Sequence, residues 1–316
     1  MPPAITYADL PPSARVISPR LRHKATRHLK ERVIETLLLL AGLSAVATTI
    51  AIVCILVYES IGFFEHVSLV DFLTDTQWTP LFADAHYGIL PLVSGTLTVA
   101  FVALSIAIPM GTIVALYLSE FAPHALREVV KPFLELLEAV PTVVFGYFAL
   151  LFVTPMLQKL YPDLPGFNML AAGIVIGIFI IPYISSVAED AMRAVPMAMR
   201  EGSYAMGATR FQTAVRVITP AATSGIVAAY ILAISRAIGE TMVVAIAAGL
   251  QPTFTFNPLE PAATITAYIV QVALGDLPHG SIGYQSIFAA GLVLVLMTLG
   301  FNVVGHALRR RFREVY

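Results

Sequence analysis

Six stretches of the chain run without Asp, Glu, Lys or Arg: residues 36–58, 87–119, 139–158, 164–188, 217–235 and 277–308. Each exceeds the roughly 18 residues that a helix needs to cross a bilayer. After residue 221 the pattern is interrupted, because Arg236 and Glu240 break an apolar run that resumes at Thr241 and continues to Leu250. The pattern therefore predicts an all-α polytopic membrane protein with either one span or two over 222–250.

Loop charge decides between them, because Lys and Arg are retained on the cytoplasmic side while acidic residues contribute little. With one span there, Lys/Arg counts alternate along the chain: seven before Thr36, none over 59–86, two over 120–138, one (Lys159) over 159–163, four over 189–216, none over 251–276 and four at the C-terminus. Two spans would put the terminal arginines outside. The expectation is six transmembrane helices with N- and C-termini cytoplasmic. The spans lie at about 36–58, 90–118, 139–158, 166–188, 222–250 and 284–308. They form a transmembrane domain over 36–308, with a cytoplasmic loop at 189–220, a flexible basic tail at 1–35 and a basic tail at 309–316. The competing outline for the N-terminus, a signal peptide, expects an apolar region of about 7 to 15 residues and a small-x-small cleavage site. Here the first apolar stretch has 23 residues and no such site follows.

Composition agrees with the pattern. The chain of 316 residues is 58% hydrophobic and 12% charged, with a mean hydropathy of +0.81, which excludes an ordinary soluble enzyme. The formal net charge of −1 gives no global attraction to nucleic acid, and none is expected as a partner. Membrane lipid is. The single cysteine, Cys54, lies in an apolar run, and the seven histidines lack ligand spacing, so no metal site is expected. Trp78, Pro80 and Tyr87 read as interface aromatics. The apolar stretch 261–275 is too short to span and reads as an interfacial or re-entrant helix on the outer side.

Two segments carry candidate chemistry. The loop 189–220 is patterned: its core reads REGSYAMGATRFQTAVRVITPAA, and the physical sense is a helix, a turn at Gly207, and a second helix ending near Pro220. Glu201, Gly207 and Pro220 fall at the spacing of a loop signature of binding-protein-dependent ATP-binding cassette importers, which it resembles. The departures are Gly202 and Ser203 for two alanines, Val217 for isoleucine and Thr219 for leucine. Such a knob, with Ala208, Thr209 and Arg210 beside the turn, can seat in a cleft of a soluble ATPase. An amphipathic interfacial segment whose arginines contact lipid headgroups is the plainer alternative.

The second segment is SRAIGET, where Arg236 and Glu240 lie about midway along the fifth span. A charge at the centre of a membrane helix costs about 2.5 to 3.5 kcal/mol on insertion scales, so two require a reason. Four residues apart on a helix, they share a face and can pair. Either they form a structural salt bridge, or they mark a translocation path. On that path the arginine fork holds an oxyanion bidentately, and Glu240 holds Arg236 when no anion is present. Gly239 then allows close backbone approach and Thr241 adds a hydroxyl.

RAIGETMVVAIAAG closely resembles the fifth-span segment of permeases in the phosphate-specific transport system. FLTDTQWTP, YGILPLVSGTL, YLSEFAP and EAVPTVVFGYFAL are also similar to that family, and the likeness covers about residues 72–250. ETMVVA after Gly239 is more similar to the C-type subunit than to the A-type. The resemblance implies the type I ABC importer permease fold and one half of the membrane pore of an ATP-driven importer of inorganic phosphate. It implies as partners an A-type paralogous permease, two copies of a cytoplasmic ATPase that bind ATP and Mg, and an external phosphate-binding protein. Arg236 and Glu240 match the family's charged pair, Glu201 and Gly207 its docking loop, and Pro141, Val143, Val144 and Gly146 a stretch equally consistent with helix packing. The chain itself has no GxxxxGK[ST] cradle, so hydrolysis is assigned to a partner and no cofactor to this chain. Gly173 and Gly177 form a GxxxG that reads as packing, within the chain or with the partner permease. An importer of another oxyanion stays open, as does an ion-coupled secondary carrier, although no two similar halves are seen. HExxH, GxSxG and paired intramembrane aspartates are absent, which disfavours an intramembrane enzyme.

Overall fold

The structure is a computed structural model that describes residues 24–311 apart from 81, 83 and 279. Residues 1–23 and 312–316 of the expected tails, and His279, lie outside the described residues. Among the described residues every regular element is helical, and one isolated antiparallel bridge joins Trp78 to Tyr87.

Helix α1, Lys24–Phe64, carries the first apolar window and reaches back beyond it, so the expected flexible tail is helical from Lys24 on. No proline or glycine lies between Arg20 and Gly42, and a helix nucleated in the apolar run therefore propagates upstream at little cost. By contacts the chain divides after Ile55. The described part of the first unit is the α1 segment 24–55, whose residues 32–55 are exposed throughout.

The second unit holds the other elements. They are α2 Leu69–Thr74, α3 Leu90–Leu116 with a π turn at Tyr117–Phe121, and α4 His124–Ala139. Next come α5 Thr142–Phe148, a π turn at Ala149–Val153, α6 Thr154–Gln158, α7 Met169–Arg193 and α8 Met197–Ala205. Then follow α9 Arg210–Thr213, a π turn at Ala214–Ile218, α10 Thr219–Ala221, α11 Thr223–Ile238 and α12 Met242–Ala247. The last are α13 Ile265–Gln271 with a π turn at Val272–Asp276, and α14 Ile282–Arg311.

Four helices, α1, α3, α7 and α14, are each long and apolar enough to cross a membrane. Two bent pairs raise the number to six when each pair counts as one span: α4 with α5–α6, bent by 87°, and α9–α10 with α11, bent by 71°. The first bend falls at Val140-Pro141, where the proline ring disfavours helix in the residue before it. The predicted third span thus begins at Thr142, and the predicted loop ahead of it is the amphipathic helix α4.

The core is α7 packed on α3. A methyl on Gly173 would stand 2.6 Å from Val102 Cγ1, one on Gly177 2.8 Å from the Ala103 carbonyl, and one on Gly111 2.7 Å from Ile184 Cβ. The GxxxG is thereby resolved as packing within the chain. Small residues let two backbones approach where lipid offers no hydrophobic drive for association.

Two expectations are corrected. Trp78, Pro80 and Tyr87 do not form an interface belt. Trp78 is fully buried in an aromatic cluster with Phe72, Tyr87 and Tyr268, edge to face at 5.0 to 6.3 Å, and Pro80 is buried as well. The loop is drawn over them by backbone bonds between Thr79 and His86 and between Gly88 and Gln77. His86 Nδ1 lies 3.0 Å from Asp75 Oδ2. Partial burial pushes the Asp75 carboxyl up, but His86 and the Gln77 N–H outweigh it and hold the group below the usual carboxylate range. Likewise 261–275 is no helix lying on the lipid. Ala262, Ala263, Ile265, Ala267 and Tyr268 are buried, and the Ile265 N–H donates to Thr96 Oγ1 of α3. Residues 262–268 are covered by protein, while 273–275 stay exposed, Leu274 at 82%.

Candidate translocation and docking sites

The fifth apolar run is broken. Helix α11 stops at Ile238 with Gly239 as its cap, and α12 restarts at Met242. Arg236 therefore sits in the last turn of one helix and Glu240 in the gap before the next. The expected helical i,i+4 pair is not formed, and among the described residues no ion pair joins them. Glu240 is buried and accepts the Val243 N–H at 3.4 Å, at the start of α12. Its backbone carbonyl accepts from Thr266 Oγ1 of α13 at 2.7 Å. The physical reason is the four unpaired N–H groups at a helix start, which offer a carboxylate a nearer partner than an arginine one turn back.

Arg236 turns the other way. Its guanidinium carbon lies 4.6 Å from the centroid of Phe179 and 5.8 Å from that of Tyr183, two α7 aromatics spaced i,i+4 on one face. Phe179 is in turn stacked on Phe145 of α5, at 5.5 Å and 26°. Arg236 Nε is buried with no hydrogen-bond partner. The carboxylate that feels its charge is Glu138, at the end of α4. A cation–π contact of this kind contributes about 0.5 to 2 kcal/mol, less than the cost of desolvating an unpaired guanidinium at membrane depth.

Within the chain, the nearest atom to a methyl added at Gly239 is the carbonyl of Ser235 in its own helix, at 3.3 Å. Gly239 is the C-cap of α11. Thr241 Oγ1 donates to the Gly239 carbonyl at 3.1 Å and so points at local backbone. Gly146 gains a function: a methyl there would stand 2.9 Å from Ile246 Cδ1, so it seats α5 on α12 beside the break. The aromatic wall of Phe179, Tyr183 and Phe145 was missed in the sequence. The i,i+4 aromatic spacing on α7 was its only signal, and such pairs ordinarily mean core.

The loop 189–220 folds as the spacing predicts. α8 ends at Gly207, which has φ +81° and takes the left-handed conformation at the helix end. Thr209 then caps α9 in a reciprocal capping box with Gln212. Ser203 Oγ and Thr213 Oγ1 at 2.8 Å tie the two helices together. Glu201, Gly207, Thr209, Arg210 and Pro220 are exposed, and Ala208 is half-buried. The tip presents Met206, 88% exposed, and Phe211, 63% exposed, two apolar side chains that sequence reasoning left aside. Arg200, beside Glu201, faces inward instead. It pairs with buried Glu120 at 3.0 Å and donates to the carbonyls of Met192 and Val195. This fixes α8 to the ends of α3 and α7.

Residues 107–314 match the family model for binding-protein-dependent transport system inner membrane components. The chain is 34% identical over 291 residues to the probable ABC transporter permease protein YqgH of Bacillus subtilis (strain 168), covering 92% of this chain and 93% of that protein. It is 33% identical over 310 residues to the phosphate transport system permease protein PstC 1 of Mycobacterium tuberculosis (strain ATCC 25618 / H37Rv), covering 86% of this chain and 91% of that protein. Among solved structures, a chain of a bacterial alginate ABC transporter, in complex with its alginate pentasaccharide-bound periplasmic protein, superposes with a TM-score of 0.62 at 18% identity. That match covers 92% of this chain and 98% of the other and speaks to the fold.

Proposed function

The chain belongs to the family of binding-protein-dependent transport system inner membrane components, and from that membership we propose that it is a permease of an ATP-driven importer of inorganic phosphate. As a family member it is a multi-pass component of the inner membrane. ATP hydrolysis belongs to a separate subunit, and the transporter works with a substrate-binding protein.

The finer reading is that this chain supplies one half of the pore as the C-type subunit, beside an A-type paralogue. Two ATPase copies bearing ATP and Mg dock on Glu201, Gly207 and the exposed Met206 and Phe211. Both termini face the cytoplasm, in keeping with the Lys/Arg distribution. Arg236 holds the passing oxyanion. One observation carries this: a partly buried guanidinium with an unsatisfied Nε, propped on two aromatic rings at a helix break. A bidentate donor that no resident carboxylate satisfies fits a tetrahedral oxyanion. Glu240, engaged with α12, does not compete for it, and its negative charge sets a limit on how long the anion stays.

The test is uptake of labelled phosphate at low micromolar concentration in cells deleted for this gene, with and without the gene restored. Uptake that returns on restoration, requires ATP and is inhibited by arsenate but not sulfate is the expected outcome. Unchanged phosphate uptake with restored uptake of another oxyanion would retain the transporter class and refute the substrate.

A further inference from the structure

Helices α11 and α14 meet along a seam. Gly305 faces Ile231 with no room for a methyl between them, and Asn302 Nδ2 donates to Ser235 Oγ at 3.1 Å. Beside the seam the helices diverge and a groove opens in two adjoining parts. One, of about 450 Å³, runs along Ile231, Leu232 and Val303 and is mostly apolar. The other, of about 440 Å³, lies at the end of α14 and is bounded by His306, Arg309 and Arg310. Ala228, His306 and Arg309 line both, so the trough leads straight into the basic end.

Neither wall carries an acid: none occurs from Gly202 to Gly239 or from Leu277 to Arg311. Arg309 donates to His306 Nδ1 at 3.0 Å, and among the described residues neither Arg309 nor Arg310 has a carboxylate partner. Leu232 is 44% exposed and Val303 60% exposed, so the trough opens away from the protein core, where hydrocarbon is the solvent.

We propose that this groove is a binding site for an anionic phospholipid, its phosphodiester on Arg309 and Arg310 and an acyl chain along Leu232 and Val303. The charge pattern selects the occupant. A free anion would use the basic end alone, whereas a phospholipid is anionic at one end and apolar along the other and so matches both parts of the groove at once. The proposal rests on the topology read above, which sets the end of α14 in the cytoplasmic headgroup region. Because α11 starts just after the loop 189–220 and carries Arg236 in its last turn, a lipid seated here braces the helix that lies between that loop and Arg236.

The experiment is titration of the purified complex, with its partner subunits, against phosphatidylglycerol and phosphatidylcholine in mixed micelles, with bound lipid counted by native mass spectrometry. Wild type is expected to prefer phosphatidylglycerol on the order of tenfold. The double variant Arg309→Gln/Arg310→Gln loses the preference. Ala228→Trp, which fills the trough with no change of charge, loses the lipid itself. Should Ala228→Trp fail to assemble, Val303→Trp on the exposed rim serves the same purpose. Equal retention of the two lipids by wild type would overturn the proposal. So would undiminished phosphatidylglycerol binding by the trough variant, which would mean diffuse attraction to a basic surface. Displacement of the lipid by millimolar inorganic phosphate would make the basic end a free-anion site and would overturn it as well. Bound lipid is read independently of transport, so failure here leaves the substrate reading standing, and the reverse holds.

Discussion

Arg236 and Glu240 are four residues apart and yet face different neighbours, and the separation has consequences that can be measured. Arg236→Gln removes the charge and the fork and shortens the side chain while keeping a polar amide, so uptake is expected to fall by more than tenfold while the complex still purifies intact. Arg236→Lys restores charge without the planar fork and is expected to recover a minority of the uptake. If Arg236→Gln instead abolished assembly, the guanidinium would be a structural strut for Phe179 and not a transport residue. Glu240→Gln can still accept the Val243 N–H, so it is expected to retain the fold and to change turnover. A loss of assembly in Glu240→Gln would mean that its charge, not its hydrogen bond, holds α12. The residue types and their depth were legible from the sequence. Their partners were not, because the helix breaks between Ile238 and Met242 and Glu240 is held there by Val243 and by Thr266 of α13.

At the level of elements, the docking turn depends on backbone that only glycine adopts comfortably. Nothing stands within 4 Å of a methyl at Gly207, so space is no constraint there and the positive φ is. Gly207→Val is expected to cost about 1 to 2 kcal/mol locally and to swing Met206 away from Phe211. The readout is loss of the ATPase on co-purification, with the permease still inserted. Surviving co-purification and substrate-stimulated ATPase activity would refute the docking assignment. At the foot of the same region, Lys131 of α4 lies 2.8 Å from Glu189, which is 1% exposed, and 2.6 Å from Asp190. Removing Lys131 leaves buried Glu189 with only Arg193, at 3.5 Å on a half-exposed side chain, so Lys131→Met is expected to cost about 1 to 2 kcal/mol, below the loss of a fully buried pair. Glu189→Gln should cost less, because a neutral amide can stay buried there. Thermal unfolding of the purified permease checks the ordering. The turn and its two helices were readable from Gly207, Thr209 and Pro220, since capping is a local transaction. The ion pairs Arg200 with Glu120 and Lys131 with Glu189 were not, since 80 and 58 residues separate the partners.

For the whole molecule, α3 against α7 is the joint on which the other elements hang. Gly177→Leu is expected to prevent accumulation of the chain in the membrane, because the side chain would enter the Ala103 backbone, whereas Gly300→Leu, with nothing within 4 Å, should be tolerated. Equal accumulation of the two variants would show that α7 does not depend on this contact. The sequence alone determined the membrane class, the apolar windows and the distribution of basic loops. These follow from what each side chain costs in hydrocarbon, a property a residue carries with it. It also determined the docking turn, whose φ and caps are settled within a dozen residues. Tertiary structure alone decided that the fifth run is two helices, that Trp78 is core and that 262–268 is buried against protein. It also decided that Arg236 rests on Phe179 while Glu240 caps α12. Those outcomes depend on which distant surfaces arrive to cover a polar or aromatic group, and hydropathy, which scores each residue against lipid or water, is blind to burial against protein.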